Sequence, residues 1–312
     1  MNLIFMGTPE FCLPSLEELN RHHTISAVVT QPDRKANRGH KVFSSPVKRF
    51  AERNGIDVLQ PEKVRKDKSF AHKLTEYEPD IIIVIAFGQI LPEKILNIPE
   101  YGCVNIHASL LPLLRGASPI QHAIIRGYEK TGVTSMMMNN KMDEGDILLQ
   151  YECPVTSDET AGTLHDKLAE LSARACIETI AGLERGSVRP VPQDHSGATY
   201  TSLIKKSDGK ICWDDSAEEI MRCFRAMNPW PGSFTYYDGN YIKILEMTRV
   251  NEKITGYSPG EVISLSDNIM IACGDNSAVN VSRIQLSGRR AVSVKDFLNG
   301  SDIIVKNGKF EF

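Results

Sequence analysis

No Cys-x-x-Cys pair occurs in the sequence, and its seven cysteines, at 12, 103, 153, 176, 212, 223 and 273, are widely spaced. That pattern excludes a disulfide framework or a zinc site built on close thiol pairs, and points to free thiols in a reducing compartment. No apolar run approaches the roughly 20 residues needed to span a bilayer. The opening MNLIFMGTPEF has no basic start and no long apolar run before a small-residue cleavage site, so a cytoplasmic protein is expected. The chain also lacks a strong charge excess: its net charge is −3. Nucleic-acid binding is therefore not indicated globally, and the question passes to individual segments. A GxGxxG loop is missing too. Gly7 closes the first apolar run, but Pro9 follows and removes an N–H that a phosphate would take, which argues against a dinucleotide.

What is present is ordinary globular material, 312 residues with 41% hydrophobic and 24% charged content. That length suggests two domains of about 150 residues each. Over residues 1–155, short apolar runs alternate with helical patterns. Strands are expected at Leu3–Met6, Ser26–Thr30, Asp80–Ala86, Gly102–Ile106 and Gly132–Met138, and helices at Leu16–Arg21, Val47–Asn54, Phe70–Tyr77 and Pro119–Arg126. Alternation of this kind predicts βαβ units around a parallel sheet, and DIIIVIA reads as a strand buried on both faces. A long helix follows from Ser157 or Thr160, with Leu164, Leu168, Leu171 and Ile177 on one side. The proline-broken stretch 186–207 reads as a linker. One helix at Ala217–Met227 and then short strands with frequent turn signals predict a small β-barrel or sandwich over 208–312.

Four segments carry possible chemistry. Asn105 and His107 sit two apart at the end of a strand, so they share a face where open α/β sheets bind ligands. An amide donor and an imidazole suit oxyanion stabilisation and proton transfer; a buried pair that satisfies loop backbone is the alternative. Asp143 lies in a loop between GVTSMMM and a strand expected at Ile147–Tyr151. It reads as a carboxylate that orients His107, or as a solvated turn acid. The Gln31–Arg49 segment carries Arg34, Lys35, Arg38, Lys41, Lys48 and Arg49 against Asp33 alone. It suits phosphate contacts, or it is a solvated basic loop. Phe87-Gly88-Gln89-Ile90-Leu91 follows the most apolar strand and suits a flat ring ligand or helix-start packing. Metal-ligand spacing is absent.

These segments together resemble the 10-formyltetrahydrofolate-dependent formyltransferases. The resemblance runs end to end, through MGTPEF, VVTQPDR, NRGHK, SPVK, VLQPE, NIHASLLP, RGASPIQ, TGVT, MDEGDIL, GTL with DKL, and NPWPGS. QPDR with the basic segment, and NPWP, resemble its tRNA-directed branch. The resemblance implies a Rossmann-like formyltransferase domain over 1–185, a linker over 186–207 and an OB-like barrel over 208–312 that touches tRNA. It implies that Asn105, His107 and Asp143 are catalytic. Ser109, Leu110, Leu111 and Pro112 would line the folate pocket with Phe87, Gly88, Gln89, Ile90 and Leu91. Arg34, Arg38 and Lys41 would meet tRNA. The implied donor is 10-formyltetrahydrofolate without a metal, the implied acceptor the α-amine of methionine on initiator tRNA, and the implied role translation initiation by a monomer away from membranes. An amino-sugar nucleotide or glycinamide ribonucleotide is the alternative acceptor. Two departures from the family pattern stand out: Leu113 and Leu114 before RGA, and Asn139-Asn140-Lys141 with Glu144 around Asp143.

Overall fold

Five consecutive residues, Ile81–Ile85, are buried on both faces and form the middle strand of a seven-stranded sheet. The computed structural model describes residues 1–35, 42–67, 69–301 and 303–311. Their contacts divide into two units. The first comprises Met1–Pro119, Glu129–Val155 and Leu164–Ser202, the second Ile120–Tyr128, Thr156–Thr163 and Leu203–Phe312. Among the described residues, no helix is long and apolar enough to cross a membrane.

In the first unit the strands run in the order Ile147–Pro154, Lys130–Met137, Cys103–His107, Ile81–Ile85, Asn2–Gly7, Thr24–Val29 and Asp57–Leu59. The last five are mutually parallel, and Lys130–Met137 enters antiparallel beside Cys103–His107. The sheet is therefore Rossmann-like but mixed. From Asn2–Gly7 the chain builds outward on one side and then returns to the other, which opens a crevice at the carboxyl ends of Gly7 and Ile85. Gly7 is needed there: a Cβ would lie 2.8 Å from Cys12 Sγ and 2.9 Å from the Ile85 carbonyl.

The helices follow their local signals. Pro46–Asn54 starts on Ser45, whose hydroxyl accepts from Lys48 N, and stops at Gly55 with φ 68°. In Ala161–Glu184 the buried stripe is Leu164, Leu168, Ser172, Ala175, Cys176, Thr179 and Ile180. Leu171 and Ile177 are only half-buried, because the 3.6-residue period carries them to the flank.

The second unit is a curled antiparallel sheet in the order Val262–Leu265, Ile269–Cys273, Ser277–Leu286, Asn240–Arg249, Ser233–Tyr237 and Phe310–Glu311, with Val292–Ser293 also paired to Ser277–Leu286. Two register shifts between Ile244 and Met247 help it curl. Trp213, fully buried, packs against Phe310, and its indole N–H donates to Thr235 Oγ1 at 3.0 Å. The Ala217–Ala226 helix begins with a Ser216–Glu219 capping box. The sheet has the barrel-like character expected of 208–312.

Candidate active site

Strand Cys103–His107 puts Asn105 and His107 on one face, and the following turn decides what they can do. Leu111–Pro112 is cis. Thr134 stitches that turn: its hydroxyl donates to the Ser109 carbonyl at 2.7 Å and accepts from Leu111 N at 3.0 Å. The turn brings back Leu114, whose φ is 58°. Its carbonyl accepts from His107 Nε2 at 2.9 Å, and its N–H donates to Thr199 Oγ1 at 2.8 Å. A carbonyl can only accept, so Nε2 carries the proton and Nδ1 is the nitrogen left for other partners.

Nδ1 faces Asp143. The Asp143 Oδ2 atom lies 3.8 Å from His107 Nδ1, and Asn105 Nδ2 lies 3.5 Å from Asp143 Oδ1. Both separations exceed a strong hydrogen bond, so the Asn105 amide and His107 Nδ1 face the Asp143 carboxylate without closing tightly on it. His107 is 7% exposed and the Asp143 side chain 15%. Charge placed there is poorly screened. Asp143 is oriented by its backbone surroundings: φ is 54°, and Oδ2 accepts from Gly116 N at 2.8 Å. Gly116 has φ 100°, and a Cβ on it would sit 2.6 Å from the Thr201 carbonyl.

Residues 1–180 of the chain match the formyl transferase family model, and residues 203–302 match the model of the formyl transferase C-terminal domain. The chain is 44% identical over 304 residues to a methionyl-tRNA formyltransferase of Caldanaerobacter subterraneus subsp. tengcongensis, covering 97% of this chain and 98% of that one. It is 45% identical over 302 residues to the methionyl-tRNA formyltransferase of Citrifermentans bemidjiense, covering 96% and 93%. The chain belongs to the methionyl-tRNA formyltransferase family. Its fold also resembles an N-formyltransferase from Helicobacter canadensis solved with folinic acid and dTDP-3-aminofucose, with a TM-score of 0.64, 21% identity, and coverage of 89% and 98%.

In this formyltransferase the residues expected around a folate split between core and surface. Phe87, Leu91 and Leu111 are buried, and Ile90 is exposed. Gln89 is spent on a neighbouring loop: Oε1 accepts from Val64 N at 2.9 Å, and Nε2 donates to the Pro61 carbonyl at 3.3 Å. Gly88 has φ 79°. Ser109 is buried and donates to the Leu113 carbonyl at 2.6 Å. Leu110 and Pro112 are half-buried. None of these nine residues lines the cavity of about 690 Å³ in this unit, whose walls include Leu96, Cys103, Met137, Met138, Asn139 and Asn140. Met138–Asn140 lead directly into the Asp143 loop.

The basic segment is tied at both feet. Lys48 Nζ donates to Asp33 Oδ2 at 2.5 Å and to Gln60 Oε1 at 3.0 Å, and Gln60 Nε2 donates to Asp33 Oδ1 at 2.9 Å. Thr30 Oγ1 and Ser45 Oγ are 2.8 Å apart. The backbone of Arg34–Lys35 pairs with Val42–Phe43. Arg38 and Lys41 lie outside the described residues. Among the described residues, no group of three or more His, Cys, Asp or Glu is placed to hold a metal ion.

Sequence reading did not single out Arg115, Gln193, Thr134 or Thr199. Arg115 lies in the conspicuous RGASPIQ stretch, but nothing local marks Gln193 beyond its place after a broken proline run.

Proposed function

We propose that this enzyme transfers the formyl group of 10-formyltetrahydrofolate to the α-amine of methionine on initiator tRNA, the step that prepares that tRNA for translation initiation. The observation that carries the reading is the convergence of the half-buried Asn105 Nδ2 and Asp143 carboxylate with the buried His107 Nδ1. The folate supplies an activated formyl carbon for the amine to attack. Asn105 Nδ2 and a proton on His107 Nδ1 donate to the oxygen that gains charge as the amine adds. The Leu114 carbonyl holds Nε2–H, so the ring cannot turn Nδ1 away. Asp143 balances the charged imidazole and receives, directly or through water, the proton the amine loses; a proton is returned to the departing nitrogen.

For the donor, the expected folate segments Phe87–Leu91 and Ser109–Pro112 follow the carboxyl ends of strands Ile81–Ile85 and Cys103–His107, the end where open α/β sheets bind ligands, and would seat the folate beside Asn105 and His107. The 690 Å³ cavity, walled by Gly102 and Cys103, lies at the opposite end of that strand and is not the donor site on this reading.

For the acceptor, Arg34, Arg38 and Lys41 supply the cationic contacts. The second unit adds an aromatic surface of its own. Phe234 stacks on Tyr241 with centroids 5.0 Å apart, Tyr236 meets both edge-on, and Lys210 Nζ lies 5.6 Å from the Tyr236 ring centre. Such a platform suits unpaired bases. The enzyme works as a monomer in the cytoplasm on this reading. Incubation with 10-formyltetrahydrofolate and charged initiator tRNA tests it. Formyl-methionyl-tRNA is the expected product; formylation of an amino-sugar nucleotide instead, with none on the tRNA, would overturn the proposal.

A further inference from the structure

We infer that Gln193 is a positioning residue for Asp143, and that Arg115 holds Gln193 to that role. The inference rests on the reading of Asp143 as part of the formyl-transfer site. Gln193 is 5% exposed, in a stretch of chain 50 residues from Asp143. Its Oε1 accepts from Arg115 Nε at 3.1 Å and from Nη2 at 2.6 Å. Its Nε2 donates to the Asp143 carbonyl at 2.9 Å and to the Gly145 carbonyl at 2.7 Å. Both lone pairs and both N–H groups of the amide are therefore used. The opposite amide orientation would set N–H against N–H and oxygen against two carbonyls, so this network fixes the assignment.

Arg115 is in turn immobilised. It is 1% exposed. Nη2 also donates to His195 Nδ1 at 3.0 Å, Nη1 donates to Tyr200 Oη at 3.1 Å, and Glu144 Oε1 lies 3.8 Å from Nη1. A buried guanidinium is costly unless its donors are met, and here its partners converge on the loop that carries Asp143. Arg115 also precedes Gly116, whose N–H meets the Asp143 carboxylate. Asp143 is thus gripped twice from one short stretch, directly at its carboxylate and through Gln193 at its backbone. Neither Gln193 contact touches the carboxylate, so the side chain acts through loop geometry. That matters at a residue with φ 54°, a conformation that persists only where its surroundings enforce it.

The test compares Gln193→Ala and Gln193→Glu with the parent enzyme. Gln193→Glu keeps the side-chain volume and the acceptor for Arg115, so it protects folding, but it turns an oxygen toward the two loop carbonyls. Both variants are expected to lose roughly 100-fold in kcat, with KM for charged tRNA and for 10-formyltetrahydrofolate little changed. Amide hydrogen exchange within residues 139–146 should accelerate while the sheet strands stay protected. In an Asp143→Asn background, Gln193→Ala should add almost nothing, since residues that act as one unit are not additive. A kcat close to the parent's, unchanged exchange in 139–146, or a full second loss in the Asp143→Asn background would overturn the inference. The exchange measurement needs no turnover, so failure of the parent to formylate methionyl-tRNA would count against the functional reading and leave the positioning role to be decided by exchange.

Discussion

Gly116 donates its backbone N–H to the Asp143 carboxylate at 2.8 Å. That bond leaves one face of Asp143 toward His107 and Asn105, and it ties the loop after the cis turn to the loop after the antiparallel strand. Removing the charge while keeping the shape should therefore isolate its role. Asp143→Asn is expected to lower kcat by roughly 10²–10⁴ with thermal stability nearly unchanged. Asn105→Ala and His107→Ala should each lower kcat by roughly 10²–10³. Steady-state formylation by folded, purified variants measures this, and near-normal turnover of His107→Ala would remove it from the site.

Gly145 packs where no side chain fits: a Cβ would lie 1.6 Å from the Met137 carbonyl. Backbone cannot yield as a flexible side chain can, so Gly145→Ala should displace the Asp143 loop and lower both stability and kcat. Gly55→Ala is the control. It has φ 68° but nothing within 4 Å, so only backbone strain of about 1–2 kcal/mol is expected, with full activity. Urea unfolding and kcat together separate the two.

The ties at the feet of the basic segment predict a pH dependence. The Lys48 ammonium, and then the Gln60 amide, hold the Asp33 carboxyl below its usual 3.8. A carboxyl depressed by folding adds stability above its unfolded value, and that stability is lost as pH falls through the folded value. The gap in unfolding midpoint between the parent and Asp33→Asn should thus be greatest near neutrality and close below 3.8. A gap that persists in acid would assign Asp33 a role unconnected with its charge.

Salt should report on the basic segment itself. Replacing Arg38 and Lys41 by alanine is expected to weaken tRNA binding and to flatten its salt dependence by about one unit per lost phosphate contact. An unchanged slope in a binding titration would place these side chains away from phosphate.

Thiol chemistry offers a further check. Burial pushes the Cys12, Cys103 and Cys176 thiols up to about 12, whereas Cys212 is exposed. Only thiolates alkylate readily. Brief alkylation near neutral pH should mark Cys212 and spare the other three until the protein unfolds, as peptide mass analysis would show.

Some elements of the fold are written plainly in the sequence and others are not. DIIIVIA announced the central strand because a strand covered on both faces needs apolar residues at every position. The Asn105–His107 pairing followed from the two-residue strand period. The stripe of the long helix departs from the expected one at Leu171 and Ile177 because its buried line includes Ser172 and Thr179. Those polar side chains are satisfied internally: Ser172 donates to the Leu168 carbonyl at 2.7 Å and Thr179 to Ser135 Oγ at 2.8 Å. The antiparallel entry of Lys130–Met137 leaves no local trace, since pairing direction is decided by tertiary contacts. Gln193 was hidden for the same reason: its partners lie 78 residues away at Arg115 and 50 residues away at Asp143.

The clamp of Asp33, Lys48 and Gln60 has a consequence for how this surface can evolve. The residues on either side of the segment are fixed to each other by this clamp and by the Thr30–Ser45 contact, so strand Thr24–Val29 and helix Pro46–Asn54 hold their places through ties of their own. Side chains between the two ties can therefore be exchanged or recharged while the sheet that presents Asn105 and His107 is left as it stands.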